Sequence, residues 1–301
     1  MKKFTLLLMS LLMVSIFAVA QKKLCVHTIY GEKIEYIASD VAYIDFEDVT
    51  TEPDDDLVVP ESGSFVAKPF SVSATKTVTF SPGNLQYHPA NDEWRFALSQ
   101  LEYIGNDNAN ISDTYNGWID LFGWGTGNNP TNTSKDNGDY QTFVDWGSNQ
   151  IGSYAPNTWR TLTYIEWEYI INERSNASNL KGVAQVNGVN GLILLPDGWT
   201  CPSGVTFKSG FDDDLCTECY GNYQTFSASD WSKLESSGAV FFPAAGYRYG
   251  SDIGNVQYYG YYWSATEFYG LADNLYFYSD KADMGGGYLY RGYSVRLVKD
   301  N

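Results

Sequence analysis

Apolar and polar residues alternate with a period of two in short runs from residue 23 onward, and turn-forming residues separate the runs. Runs over 23–29, 33–37 and 41–46, punctuated by Tyr30-Gly31-Glu32 and Ala38-Ser39-Asp40, predict a small antiparallel β unit spanning 21–49. Three strands of this size bury too little to be stable without packing or assembly. Residues 50–69, with Pro53, Asp54-Asp55-Asp56, Pro60 and Gly63, read as an acidic linker. The Asp run lacks the spacing and the glycine of an EF-hand loop, so it reads as solvated charge.

From 70 to 301 a single larger domain is expected. Strand patterns fall at 77–80, 84–87, 93–98, 191–195, 240–245, 261–266, 274–278 and 292–298. Residues 106–154 are rich in Gly, Asn, Asp, Thr and Trp, too polar and too broken for regular elements. An excursion of that length is either functional or packed on itself. Helical spacing appears over 161–174, where Ile165, Tyr169, Ile170 and Glu173 recur and Thr163 precedes Glu166 as in a capping box. A second helix is expected at 227–236, with Ser229 as its cap before Asp230-Trp231. There is no repeat at solenoid period.

The same alternation assigns faces. Leu275 and Phe277 point one way along their strand, and Asn274, Tyr276 and Tyr278 point the other. Tyr261, Trp263 and Ala265 likewise oppose Tyr262, Ser264 and Thr266. Trp263, Leu275, Phe277, Val295 and Leu297 form the expected core. Residues 255–301 hold ten of the chain's 24 tyrosines, spaced by Ser, Asp, Asn and Gly. Core strands draw on Val, Ile and Leu instead, whereas rigid tyrosines among small polar residues are the composition of a paratope. The candidate ligand-binding set is Tyr258, Tyr259, Tyr262, Tyr269, Tyr276, Tyr278, Tyr288 and Tyr290.

Residues 1–20 read as a secretory signal peptide: Lys2 and Lys3, an apolar stretch, then Ala18-Val19-Ala20 before Gln21. No Cys follows that site directly, so lipidation is not expected, and no later run is long enough to span a bilayer. The protein is therefore expected to be secreted or held at the cell surface by other proteins. A formal charge of −17 argues against nucleic acid and against anionic membranes as partners. Export permits disulfides. Cys201 with Cys216 or Cys219 would close a short loop, and all four cysteines, Cys25 included, allow three connectivities. Cys216-Thr217-Glu218-Cys219 fits half a zinc site with no second pair, so no metal or cofactor is expected.

Catalysis is not expected either. His27 and His88 are the only histidines, and neither neighbours a Gly-x-Ser-x-Gly elbow. A glycosidase needs two suitably separated carboxylates, but Glu166, Glu168 and Asp197 read as helix and turn residues.

Trp159-Arg160-Thr161-Leu162-Thr163 followed by Glu166-Trp167-Glu168-Tyr169 resembles the helix of the formylglycine-generating-enzyme branch of the C-type lectin fold, where Arg-Leu-Pro-Thr precedes Glu-Trp-Glu-Tyr. Tyr262-Trp263-Ser264-Ala265-Thr266-Glu267 and Arg291-Gly292-Tyr293-Ser294-Val295-Arg296 resemble its closing strands. The resemblance covers about 70–300 and is strongest to the major paralogous domains of bacteroidete exported proteins. It extends to the variable proteins of diversity-generating retroelements, which diversify a C-terminal, solvent-facing patch. It implies an α+β fold: a C-type-lectin-like domain of twisted antiparallel strands with two helices, behind the small β unit. Two family chemistries are missing. No Cys follows Cys219, where the oxidases keep theirs, and the Glu-Pro-Asn and Trp-Asn-Asp calcium triplets are absent. The expected function is non-catalytic recognition of an extracellular protein or glycan. A structural subunit of a cell-surface fibre or assembly is the alternative, and a glycan-active enzyme ranks behind both.

Overall fold

Strands of two to nine residues carry most of the regular structure, in an α+β arrangement of open, mainly antiparallel sheets. The computed structural model describes residues 23–27, 33–37, 65–211 and 224–301. Contacts divide the chain into two units at Val59 and Pro60. In the first, β1 (Lys23–His27) pairs antiparallel with β2 (Lys33–Ile37), Lys23 opposite Ile37 and His27 opposite Lys33. The expected signal peptide, the run at 41–46 and the linker up to residue 64 lie outside the described residues.

The second unit begins and ends in one sheet. β4 (Thr77–Phe80) lies between β3 (Phe70–Ser71) and the C-terminal β17 (Val298–Asp300). A hairpin of β5 (Leu85–His88) and β6 (Glu93–Phe96) follows. β8 (Val189–Leu194) pairs antiparallel with β7 (Lys181–Val186) and β10 (Val240–Pro243), and β9 (Thr225–Phe226) joins β7 in parallel. β13 (Gly260–Phe268), β14 (Leu271–Tyr278) and β15 (Lys281–Tyr288) form a meander. Beside it in sequence, β11 (Tyr247–Tyr249) pairs with β12 (Asp252–Gly254) and β16 (Arg291–Gly292).

Alternation alone does not reveal β7 or β15. β15 carries Gly285-Gly286-Gly287, a composition that disfavours strands, and is held by a continuous register with β14 from Tyr278 opposite Lys281 to Leu271 opposite Tyr288. The strand expected at 292–298 is split. Its middle threads between neighbours through single bridges, Tyr293 to Phe122 and Ser294 to Tyr262.

Both α-helices among the described residues start on side-chain caps. The Thr163 hydroxyl accepts from the Glu166 N–H at 3.3 Å and the Glu166 carboxylate accepts from the Thr163 N–H at 2.9 Å, which opens α1 (Tyr164–Glu168). The helix then widens into a π turn, Tyr169–Glu173. Trp167, Ile170, Ile171 and Arg174 recur at ordinary three- and four-residue helical spacing and are buried, while Ile165, two residues before Trp167, falls off that stripe and is 71% exposed. α2 (Ala228–Ser236) is capped by Ser227, whose hydroxyl accepts from the Asp230 N–H at 3.1 Å. Ser229 lies inside the first turn and is not the cap, because the N–H in reach of a cap hydroxyl belongs to a residue two or three further on.

Three packed groups fill the interior. α1 and the sheets around it bury Phe80, Trp167, Phe242, Tyr262 and Phe277. α2 adds Trp231 and Leu234 against Phe241. The third group is aromatic and comes largely from the 106–154 excursion: Phe122, Trp124 and Trp146 pack with Trp94, Trp263 and Tyr293. The excursion is thus locally packed. A buried polar chain crosses between these groups. The Arg296 guanidinium donates to Gln100 Oε1 at 2.7 Å, and Gln100 Nε2 donates to Glu235 at 2.9 Å and to the Ala239 carbonyl at 3.2 Å. Arg296 also reaches Asn84, which donates to the Tyr262 hydroxyl at 3.1 Å; that hydroxyl donates to the Pro243 carbonyl at 2.9 Å.

Within the excursion, Asp120 is fully buried and accepts from Asn108 Nδ2 and the Ile104 N–H, both at 2.8 Å. Burial pushes its carboxyl up to about 6, against the pull of those two bonds. The folded state therefore holds a proton that the unfolded state releases nearer 3.8, so this group's contribution is full below that value and is lost as pH rises through about 6. Urea unfolding across this window should show a decline of about 3 kcal/mol in the wild type that Asp120→Asn lacks. Matching pH profiles for the two proteins would overturn this assignment.

Candidate functional site

Tyr269 and Gly270 join β13 to β14, both in the left-handed region at φ 53° and 79°. Two such residues make a type I′ hairpin turn, whose first slot ordinarily takes Asn, Asp or Gly. Holding a tyrosine there costs about 1 kcal/mol, yet its ring is 90% exposed and contacts Phe268 edge-on at 4.4 Å. The turn is braced from the excursion. Asn137 donates its amide to the Gly270 carbonyl and accepts the Leu289 N–H at 2.7 Å, tying the turn to the end of β15. Glu267 accepts the Gly270 N–H.

Register sorts the remaining tyrosines by face. Tyr261 lies opposite Tyr276, and Tyr262 opposite Leu275. Leu275 and Phe277 enter the core, while Tyr276 and Tyr278 stand half-buried on the other face. There the rings follow one another: Tyr276 beside Tyr278 at 6.4 Å, Tyr278 beside Tyr259 at 5.0 Å, Tyr259 stacked on Tyr261 at 5.9 Å. Tyr261 then stacks on Tyr293 at 4.7 Å, and Tyr293 contacts Trp263 at 4.3 Å. The glycines of β15 form the floor. A β-carbon at Gly285 would come within 2.9 Å of the Tyr276 ring, and one at Gly287 within 2.8 Å of the Tyr293 ring. Rings resting directly on the strand account for glycine at these two positions.

A second group surrounds Arg291. Its guanidinium lies 4.9 Å from the Tyr247 ring, 4.8 Å from Tyr249 and 5.9 Å from Tyr290. Tyr290 stacks nearly parallel on Tyr288 at 5.2 Å. Between the two groups opens a cleft of about 350 Å³, walled by Tyr247, Tyr261, Tyr288, Arg291 and Tyr293 and floored by Gly286 and Gly287, with Leu271 at its side. Burial pushes the Tyr261 phenol up to about 12, so it stays a neutral donor at ordinary pH. Gly286 also borders a groove of about 650 Å³ between β-meander and α1, lined by Thr163, Tyr164, Ile165, Thr266, Phe268, Asp273, Met284 and Gly285. Burial raises the Asp273 carboxyl there above its ordinary range. Phe268 is 67% exposed and Tyr288 53%. With Ile165 and Leu271 they make a rim of exposed apolar groups around both hollows.

Of the candidate tyrosines, Tyr258, Tyr269 and Tyr288 are exposed, and Tyr259, Tyr276, Tyr278 and Tyr290 are half-buried. Tyr262 is a correction. It is fully buried, its hydroxyl engaged by Asn84 and Pro243, because the register aligns it with Leu275 on the core face. The alternation places Tyr262 opposite Trp263, but both faces of this strand are covered, so opposing the core did not mean facing solvent. Tyr247, Tyr249, Tyr261, Tyr293 and Arg291 belong to the site without having been singled out for it. The signal available was Tyr247-Arg248-Tyr249, where two rings flank a cation that is itself fully buried on the carbonyls of Leu121 and Gly250.

The other candidates have structural partners. Glu166 closes the cap of α1 and binds Arg160 at 2.7 Å; Asp197 binds Ser71 and Arg174; Glu168 accepts from Asn172. His88 is buried edge-on to Trp118. Cys201 carries an exposed free thiol, its Sγ 3.4 Å from the Val205 carbonyl, and Cys216 and Cys219 lie outside the described residues. Among the described residues no group of three or more His, Cys, Asp or Glu is placed to hold a metal, and no helix is long and apolar enough to cross a membrane. No protein-family model, curated protein or solved structure matches the chain.

Tyr262→Phe separates packing from recognition. It keeps the ring and strands the Asn84 amide, while the Pro243 carbonyl keeps its bond from the Ala245 N–H; the change should cost about 1–3 kcal/mol. Thermal unfolding should fall by about 2–4 °C per kcal/mol. An unchanged melt would mean that the buried polar chain does not depend on this hydroxyl.

Proposed function

We propose that the second unit is a C-type-lectin-like recognition domain, of the formylglycine-generating-enzyme and major-paralogous-domain branch, acting outside the cell. It binds a protein or glycan, without catalysis, through the tyrosine-rich surface of β13, β14 and β15. The observation that carries this reading is an aromatic cleft on a braced sheet: Tyr247, Tyr261, Tyr288 and Tyr293 wall it with Arg291, and the half-buried rings of Tyr259, Tyr278 and Tyr276 continue outward from Tyr261. Aromatic clefts with a few placed polar groups are the usual form of a binding site, and a strained, exposed Tyr269 at a turn held on two sides fits display better than packing. The tract also fits a surface of diversity-generating-retroelement type. Its genomic counterpart would be a near-copy of the C-terminal coding segment beside a reverse transcriptase gene.

Catalysis is disfavoured because Glu166 and Asp197 are bound in ion pairs that support α1 and β3. The structural-subunit reading would use the outer edge of β15, which has no further strand partner among the described residues. In an antiparallel ladder alternate residues turn their backbone groups outward; along this edge Asp283 accepts the Met284 N–H at 2.9 Å. A carboxylate on an edge N–H blunts strand addition, which favours recognition over edge-to-edge assembly.

The triple variant Phe268→Ser, Tyr269→Ser, Tyr288→Ser tests the reading. Exposed positions change stability by within about 0.5 kcal/mol each, whereas interface aromatics cost about 2 kcal/mol or more when truncated. The variant should melt close to wild type and lose binding to whichever immobilised glycans or extracellular proteins the wild type retains. Collapse of the melting transition, or binding equal to wild type, would overturn it.

A further inference from the structure

The chain has six arginines, and five are held by hydrogen bonds. Arg95 reaches Gln86 and Glu102, Arg160 reaches Glu166 and Asp300, and Arg174 reaches Asp197. Arg248 donates to backbone carbonyls and Arg296 to Gln100. Arg291 differs. Among the described residues it makes no ion pair and no hydrogen bond, only contacts with the faces of Tyr247, Tyr249 and Tyr290. In a chain of formal charge −17, a cation left without a carboxylate in a cleft wall is an unfilled anion position. The stacked rings hold the planar guanidinium and leave its N–H edge for a bidentate acceptor.

The rest of the cleft constrains what carries that anion. Tyr288 and Tyr290 lie parallel on one side, and Tyr261 and Tyr293 stack on the other. Such rings suit the apolar C–H face of a pyranose, while their hydroxyls serve as donors and acceptors for its hydroxyls. At about 350 Å³ the space is near the lower end for a small-molecule site. It has a glycine floor and a single aliphatic side chain, Leu271, which leaves no deep apolar pocket to anchor a peptide side chain. We propose that this cleft binds an acidic saccharide, a sugar ring bearing a carboxylate or sulfate that Arg291 grips while the tyrosines stack on the ring. This rests on the recognition reading above and narrows its ligand class.

Titration calorimetry on the full chain at physiological salt tests it, with trigalacturonate, sialyllactose and a sulfated chondroitin disaccharide as probes. Galactotriose, lactose and the unsulfated disaccharide are their less charged counterparts, and tetraglutamate represents an acidic peptide. At least one acidic saccharide should bind about tenfold or more tightly than its counterpart, and Arg291→Gln should remove that advantage. A gain of the sulfated disaccharide over its unsulfated form, which keeps the uronate carboxylate, assigns sulfate; a gain with trigalacturonate or sialyllactose assigns carboxylate. Gly286→Leu provides a second variant, since the nearest atom to an added β-carbon there is Leu271 Cδ1 at 3.6 Å; it should fill the cleft and block binding without altering the melt. Lys299→Gln, an exposed cation on β17, should bind as wild type. The proposal is overturned by equal affinity for acidic and counterpart saccharides, by no saccharide binding, by preference for tetraglutamate, or by wild-type binding in both cleft variants. Failure of the broader reading looks different: partners would bind the Phe268, Tyr269, Tyr288 triple variant as they bind wild type.

Discussion

Arg296 is a fully buried cation whose nearest compensating carboxylate, Glu235, is reached only through the amide of Gln100. Placing a charge inside a protein is costly unless its donors are met. Here the C-terminal segment, the approach to β5 and the start of β10 must arrive together to meet the two terminal nitrogens of the guanidinium, with the end of α2 joined through Gln100. The Nε–H finds no partner among the described residues. Gln100 accepts from both Arg296 and the Phe241 N–H while donating to Glu235, so one amide reads three elements at once. Asn84 and Tyr262 pass the constraint on to β13. The meander that carries the site is thereby fixed to the core through a hydroxyl and not through hydrophobic contact alone, which restricts where its outer face can lie.

The excursion serves that same outer face. Its backbone is irregular, but its side chains are not idle: Asp120 and Asn108 close it on itself, Trp124 and Trp146 enter an aromatic core shared with Trp94, Trp263 and Tyr293, and Asn137 reaches out to the β13 turn and the end of β15. Arg248 adds a cross-tie from β11 to the Leu121 carbonyl. The aromatic cleft is therefore supported from below by the polar chain and from the side by a loop, an arrangement that allows a strained turn residue to persist.

Much of the scaffold was legible in the sequence, because burial on one side of a strand writes a period of two. The hairpins, the capping box at Thr163 and Glu166, and the core positions Leu275, Phe277, Val295 and Leu297 follow from it directly. It failed where another constraint overrode composition. β15 is glycine-rich because rings lie on it, so its strand character resides in its neighbour's register. Ile165 belongs to one helical stripe in the sequence, but the core takes the neighbouring stripe of Trp167, Ile170 and Ile171, so it faces out. At the site, crowding of tyrosine was visible as composition, whereas membership depended on pairing. Tyr262 left the surface once its register was known, and Tyr261, Arg291 and Tyr293 from within the same tract, with Tyr247 just before it, joined the site. Arg291 carried no sequence signal, since what distinguishes it is the absence of a described polar partner.

The close fit of rings on Gly285 and Gly287 makes the strand beneath the tyrosines a fixed plane on which exchangeable side chains are mounted. Replacing a ring leaves that plane intact, whereas a carbon added at Gly285 displaces the Tyr276 ring and one added at Gly287 the Tyr293 ring. Side chains at the outward positions can be exchanged on this plane, while Gly285 and Gly287 are the positions least able to change.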